Sequence, residues 1–190
     1  ESKLMKDEAL KYAEIAQNLS PDESIGYFAS GLVYNSAKLP EKSKVAVLKA
    51  LEIEPKNVLA LTLSATLKIN AGLFDDGLMD LQVVRKLDPL FPIQLLQAEA
   101  RAFLGLNRLD DAFERSGNAL KRNPQNGNAM LYFITAAWKL GKKDEALWQL
   151  EELMLINSPE DLDFYLQKQP WDKKIKNTIL TTFSEILENR

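Results

Sequence analysis

A repeat of about 34 residues constrains the fold of this chain more than any other feature of its sequence. Four prolines carry it, at separations of 34, 34 and 35 residues: Pro21, Pro55, Pro89 and Pro124. One column of mostly small residues keeps the same period: Ala9, Ser43, Gly77, Ala112 and Ala146. A second does so as well: Ala16, Ala50, Val84, Ala119 and Leu153. A fixed period of this length predicts repeated units that each pack against their neighbours.

Each unit contains two apolar stretches separated by a break, such as residues 27–34 and 45–53, and then the proline. This pattern is typical of two helices joined by a turn and followed by a stop. Paired helices pack about 8 to 10 Å apart, so their crossings need short side chains. We therefore expect Gly31, Ala65 and Ala100 to meet the column that begins at Ala9.

The turn inside each unit also has a repeated position. Gly72 and Gly141 stand where a helix end favours a left-handed residue, and Asn107, the next best residue type, stands in the same column. Lys38 breaks this column, and we expect Pro40 to start the second helix there, because its fixed φ suits a first helical position.

These positions resemble the tetratricopeptide repeat. The resemblance is carried by Tyr27-x-x-Ser30-Gly31-x-x-Tyr34 with Ser43, Ala50 and Pro55, by Leu96-x-x-Glu99-Ala100-x-x-Phe103 with Ala112, Ala119 and Pro124, and by the stretch 104–113. It implies an all-α solenoid of antiparallel helix pairs, wound as a right-handed superhelix and closed by C-terminal capping helices. The predicted organisation is the second half of a truncated repeat at 1–23, repeats at 24–57, 58–91, 93–126 and 127–160, and capping helices at 161–190. The fourth repeat is degenerate, since Leu153 replaces a small residue and Ser158 replaces the proline.

Both ends leave alternatives open. A half repeat at 4–19 cannot bury its own apolar face, so either a preceding helix or another copy of the chain must cover it. Near the other end, Ser158-Pro159-Glu160-Asp161 predicts the start of a short helix. That helix contains Leu162, Tyr165 and Leu166.

A closing amphipathic helix follows Pro170. Its apolar residues recur every four positions, with Ile186 beside them: Trp171, Ile175, Ile179, Phe183 and Leu187. We expect them to cover the end of the fourth repeat and to shield Leu150 and Leu153. The alternative is a helix that binds a partner or forms a dimer.

The composition excludes most catalytic chemistry, because the chain has no Cys and no His. Acidic pairs occur at 75–76, 110–111 and 144–145, always in the same inter-helix column, where they suit the first turn of a helix. No phosphate-binding or nucleophile motif is present. We therefore predict a protein that is not an enzyme and that needs no metal or cofactor.

The charge and hydropathy narrow the class of partner. A net charge of −3 disfavours nucleic acid, and no apolar run is long enough for membrane insertion. The first residue is Glu, so we expect the chain to be part of something longer. A chain without cysteine suits the cytoplasm and the periplasm alike, so the compartment stays open, with the cytoplasm preferred.

The resemblance also implies a binding groove lined by the first helix of each repeat. The matching positions are Phe28, Leu32, Asn35, Thr62, Thr66, Asn70, Gln97, Arg101, Tyr132, Thr135 and Lys139. Arg101 offers a planar fork to a carboxylate. Family members that clamp acidic chaperone tails use Lys and Asn at the positions of Phe28 and Leu32, so this ligand is disfavoured here.

We therefore expect a noncatalytic module that binds a peptide or partner protein in its concave groove. The alternative is a structural spacer or self-association element of a larger signalling or assembly protein, forming a homo-oligomer through residues 4–19 or the C-terminal helix. RNA binding by a related helical repeat is a third hypothesis, weakened by the acidic charge and by the lack of a basic stripe.

Overall fold

A computed structural model describes residues 3–19, 21–156 and 165–188. Its regular elements there are helices: α1 (Lys3–Leu19), α2 (Ser24–Ser36), α3 (Pro40–Ile53), α4 (Val58–Asn70), α5 (Phe74–Leu87), α6 (Ile93–Gly105), α7 (Leu109–Arg122), α8 (Gly127–Lys139), α9 (Lys143–Ile156) and α10 (Lys173–Glu188). Residues 165–168 add a helical turn, and no strand occurs within these ranges. The expected helix start at 158–161, with Leu162, lies outside the described residues. The all-α prediction is confirmed.

The turns inside the helix pairs share one geometry. Residues with positive φ stand at the predicted column: Lys38 (60°), Gly72 (82°), Asn107 (58°) and Gly141 (77°). The amide of the next residue donates to the carbonyl five residues back, for example from Leu39 to Tyr34 at 2.9 Å and from Arg108 to Phe103 at 2.8 Å. These bonds satisfy carbonyls that the helix end would otherwise leave unpaired.

Lys38 corrects one expectation. Pro40 does begin α3, as predicted, but Lys38 still adopts the left-handed conformation. The helix-end hydrogen bonds require that conformation whatever the side chain, and the turn imposes it on a lysine at a cost of about 1 kcal/mol.

The chain divides into two compact units. The first comprises Glu1–Leu67 and Met79–Leu90, and the second comprises Lys68–Leu78 and Phe91–Arg190. In the first unit, α1 packs against α2, and α2 packs against α3. The Ser43 hydroxyl donates to the Gly31 carbonyl at 2.7 Å, and a Cβ on Gly31 would lie 2.8 Å from the Val47 side chain. The predicted crossing of Gly31 with the column at Ser43 is confirmed.

In the second unit, successive helices from α6 to α9 pack in pairs, and α10 packs against α8 and α6. The predicted small positions Ala100, Ala112 and Ala119 are fully buried. The α10 face is buried through Ile175, Ile179, Phe183 and Ile186. Leu150 and Leu153 are buried as expected, but α10 lies against the first helices of the third and fourth repeats.

Leu187 was expected on the buried face of α10 and is 56% exposed instead. A spacing of four residues advances about 40° beyond a full turn, so three such steps from Ile175 rotate Leu187 by about 120°. Ile186 returns to within about 20° of Ile175 and takes the buried place.

The acidic pairs lie in the first turns of α5, α7 and α9, as predicted. The Asp111 carboxylate forms an ion pair with the Arg108 guanidinium, with Nη2 and Oδ2 2.7 Å apart. Their position opposes the partial positive charge of the helix N-termini, which explains the pairs structurally. Among the helices that can be described, none is both long and apolar enough to cross a bilayer.

Candidate partner-binding groove

The two units present the expected groove positions differently. In the first unit, Phe28, Leu32 and Asn35 lie on α2, and Thr62 and Thr66 lie on α4. Leu32 is 43% exposed, and Phe28 and Asn35 are partly exposed. A Cβ on Gly31 would also lie 3.3 Å from Leu63, so α2 and α4 are neighbours there.

The threonine hydroxyls on α4 already have acceptors within the helix. Thr62 donates to the Val58 carbonyl at 2.7 Å, and Thr66 donates to the Thr62 carbonyl at 2.9 Å. Thr62 is buried, and Thr66 is partly exposed. Each hydroxyl has one proton to donate, so Thr66 presents its methyl group and the lone pairs of its oxygen to a ligand. The face is therefore more apolar than the sequence suggests.

Two further apolar residues extend this face, and the sequence analysis missed them. Ile25 on α2 is 55% exposed and Leu59 on α4 is 48% exposed. Ile25 precedes Phe28 and Leu32 by three and seven residues, which places all three on one side of α2. Leu59 stands in the same relation to Thr62 and Thr66. This helical spacing was visible in the sequence and was the signal that could have found them. We call Ile25, Phe28, Leu32 and Leu59 the apolar stripe.

In the second unit, the corresponding face is covered by the chain itself. Arg101 on α6 is 7% exposed, and Tyr132 and Thr135 on α8 are fully buried. The Trp171 ring lies 5.4 Å from the Tyr132 ring and 5.8 Å from the Arg101 guanidinium carbon. Arg101 does not line an open groove in this structure.

The edges of this covered face are polar. Gln97 is half-buried, and Lys139 is exposed beside a shallow opening of about 520 Å³ formed with the start of α10. The Tyr165 hydroxyl donates to Asn128 Oδ1 at 2.6 Å, which ties the segment before α10 to α8. The side-chain oxygen of Asn70 is buried with no hydrogen-bond partner among the described residues.

Burial dominates the electrostatics of Tyr132. It raises the pKa of the phenol to about 12, and the nearby Arg101 charge opposes part of that rise. A hydrogen bond between the Arg101 side chain and the Tyr132 hydroxyl also opposes the rise, whereas the Nε atom of Arg101 is buried without a hydrogen-bond partner in the described part of the chain.

A second concavity lies among α1, α2 and α3 in the first unit. Its volume is about 590 Å³, and its lining includes Tyr27, Tyr34, Val45, Lys42 and Lys49. The α1 helix itself exposes Met5 (60%), Tyr12 (66%) and Leu19 (77%). Exposed apolar groups therefore occur on α1 as well as on the apolar stripe. Their distribution is compatible both with partner binding in the groove and with self-association through α1.

No cluster of three acidic side chains that could hold a metal ion occurs within residues 3–19, 21–156 and 165–188. The sequence matches no protein-family model and no curated protein.

Several solved structures share the fold. Pseudomonas aeruginosa PilF superposes with a TM-score of 0.67 at 13% identity, covering 97% of this chain and 93% of that chain. MamA residues 41 to the end from Desulfovibrio magneticus superposes with a TM-score of 0.64 at 14% identity, covering 78% and 84%. The first TPR domain of human RPAP3 superposes with a TM-score of 0.57 at 17% identity, covering 66% and 98%. The helix pairs and these likenesses show that this chain has the tetratricopeptide-repeat fold, an α-solenoid.

Proposed function

We propose that this chain is a noncatalytic protein-binding module and that the apolar stripe on α2 and α4 binds an amphipathic helix of a partner. The observation that carries this proposal is the position of α10. In the second unit, the faces of α6 and α8 at the equivalent repeat positions hold an amphipathic helix of the same chain. The first unit presents the same face of its repeats with apolar side chains exposed.

The chemistry of the stripe favours a helical apolar ligand. Ile25, Phe28 and Leu32 supply contact area, and Asn35 is the amide beside them. The Thr62 and Thr66 hydroxyl protons are used within α4, which leaves few donors to pair with an extended peptide backbone. A helix satisfies its own backbone and needs only apolar contacts.

The α10 helix indicates the pattern that such a ligand should have. It buries Ile175, Ile179 and Phe183, spaced by four residues, against the first helices of two consecutive repeats. We expect a partner helix with large apolar residues at that spacing and polar residues elsewhere.

The test compares two surfaces of the same unit. Leu32→Asp places a charge on the apolar stripe, and Tyr12→Asp places one on the exposed face of α1. Both wild-type side chains are exposed, so neither substitution puts a charge into the core. Proteins retained from the source cell by the wild-type chain should be lost with Leu32→Asp and kept with Tyr12→Asp. Binding that survives Leu32→Asp and is lost with Tyr12→Asp contradicts the proposal.

Self-association through α1 is the second candidate, and the exposure of Met5, Tyr12 and Leu19 favours it. It predicts that the purified chain forms a dimer in sedimentation experiments and that Tyr12→Asp returns it to a monomer. A monomer at all accessible concentrations contradicts self-association and leaves the partner-binding proposal standing.

A further inference from the structure

One face of α9 carries two large apolar side chains that the fold leaves in solvent. Trp148 is 61% exposed, and Leu155 is 82% exposed. They are seven residues apart, so they lie on one side of the helix and about 10 Å apart along its axis. The equivalent positions of the preceding repeat, on α7, hold the exposed polar residues Glu114 and Lys121. The repeat therefore does not require apolar residues at these two positions.

Carboxylates surround Trp148 on the surface of α9. The residues three and four positions before and after it are all acidic: Asp144, Glu145, Glu151 and Glu152. The first two lie in the first turn, where they also oppose the helix dipole. The other two lie in the second half of the helix, where the dipole disfavours acids, and α9 has no basic residue in its last turn, unlike α5 and α7. We call Trp148, Leu155 and these four acidic residues the α9 face.

The lysines at the start of α9 contact other rings. The Lys142 ammonium lies 4.7 Å from the centroid of the Phe113 ring, and the Lys143 ammonium lies 5.0 Å from that of the Trp138 ring. Among the described residues, no lysine or arginine lies over the Trp148 ring. The α9 face therefore offers an aromatic ring, an aliphatic side chain and negative charge, which together attract a cation carried on an apolar surface.

The same chain shows how one side chain contacts a ring and a carboxylate together. The guanidinium carbon of Arg108 lies 4.5 Å from the centroid of the Phe103 ring, and its Nη2 lies 2.7 Å from Asp111 Oδ2. A guanidinium does both because its flat face stacks while its N–H groups donate in the plane. A lysine ammonium has no flat face to stack. Arginine is therefore the cation that fits Trp148 and the carboxylates beside it.

We propose that the α9 face is a docking site for a basic amphipathic helix of a partner protein. An arginine of that helix stacks on Trp148 and pairs with Glu152, and an apolar side chain seven residues away contacts Leu155. Tryptophan is enriched among the residues that dominate binding energies, and opposite charges favour this partner over an acidic one. A helix satisfies its own backbone, which suits a surface that offers only side chains. The site lies in the second unit and does not depend on the apolar stripe of the first.

The probe is a capped, alanine-based helical peptide with two arginines four residues apart and a leucine seven residues after the first arginine. Titration calorimetry with the full chain should show saturable one-to-one binding. Replacing both arginines by glutamine should abolish binding, and replacing them by lysine should weaken it several-fold, because an ammonium does not stack and pair at once. Equal affinities for the arginine and lysine peptides contradict the stacked arrangement.

Two substitutions on α9 test the site in the full chain. Trp148→Leu keeps an apolar side chain but removes the ring, so it should weaken peptide binding at least about fivefold. Glu152→Gln removes one carboxylate and should weaken binding about two- to fivefold. Glu188→Gln makes the same chemical change at an exposed position of α10 and should leave the affinity unchanged. Equal losses in Glu152→Gln and Glu188→Gln would show a general attraction to an acidic protein and overturn the site.

A second copy of this chain is the competing occupant of the α9 face. Sedimentation of the purified chain tests it, because a dimer that Trp148→Leu returns to a monomer, and Tyr12→Asp does not, overturns the assignment to a partner helix. A chain that stays monomeric and binds the arginine peptide supports that assignment. Leu32→Asp alters the other unit and should bind this peptide like the wild type, so failure of the apolar stripe and failure of the α9 face are distinguishable.

Discussion

The first helices of the repeats carry the same sequence pattern in both units, but their exposure to solvent differs between the units. On α2 of the first unit, Leu32 is 43% exposed, whereas Arg101, at the matching position on α6, is 7% exposed. The difference comes from the chain end, because Trp171 and α10 cover α6 and α8. A repeat position therefore defines a face of the solenoid, and the rest of the chain determines whether that face is available.

The strongest test of this comparison removes apolar volume from the covering helix. Ile179→Ala should lower the free energy of unfolding by about 2 to 5 kcal/mol, because Ile179 is fully buried. Leu187→Ala on the same helix should change it by less than about 0.5 kcal/mol, since that side chain is exposed. Urea unfolding measures both. Equal, small effects would mean that α10 is a detachable element.

Unfolding at alkaline pH tests whether the Tyr132 phenol in the second unit is buried. The folded-state pKa of Tyr132 is raised to about 12, above its ordinary value of 10.0, so the folded state retains a proton that the unfolded state loses. The free energy of unfolding is therefore unaffected by this group below pH 10 and falls between pH 10 and 12, by about 2 to 3 kcal/mol. The melting temperature of Tyr132→Phe should fall less steeply with pH over that interval than that of the wild type. An identical slope contradicts the buried placement.

Overpacking the helix crossings compares the cores of the two units. Ala119 in the second unit and Ala50 in the first stand in the same column, and both are fully buried. Ala119→Leu and Ala50→Leu should each cost about 1 to 3 kcal/mol in thermal unfolding. Ala29→Leu, at an exposed position of α2, is the control. An unchanged melting temperature for either buried variant would contradict the repeat alignment of that unit.

The smallest effect concerns affinity at the open face. Once a partner is identified, Leu32→Ala should weaken its binding about tenfold, which corresponds to about 1.4 kcal/mol. Leu187→Ala truncates an exposed leucine outside the proposed groove and should leave the dissociation constant unchanged. Titration calorimetry distinguishes these outcomes. If both variants bind like the wild type, the apolar stripe is not the binding surface.

Local features of the fold were predictable because they depend on neighbouring residues. Positive φ at Gly72, Asn107 and Gly141 follows from the chemistry of helix ends, and the Gly31 crossing follows from the small column. Lys38 was missed because residue preference favours glycine without excluding lysine, and the helix-end hydrogen bonds set the conformation.

The sequence by itself determined the helix pairs, their turns and the apolar face of α10, since helical periodicity is written in positions three and four residues apart. Only the tertiary structure decided that this face lies on α6 and α8, and so that Arg101 and Tyr132 are buried beneath Trp171. The physical reason is that hydrophobic burial is nondirectional. The apolar face of an amphipathic helix such as α10 is stabilised by burial, and its sequence does not specify which surface buries it.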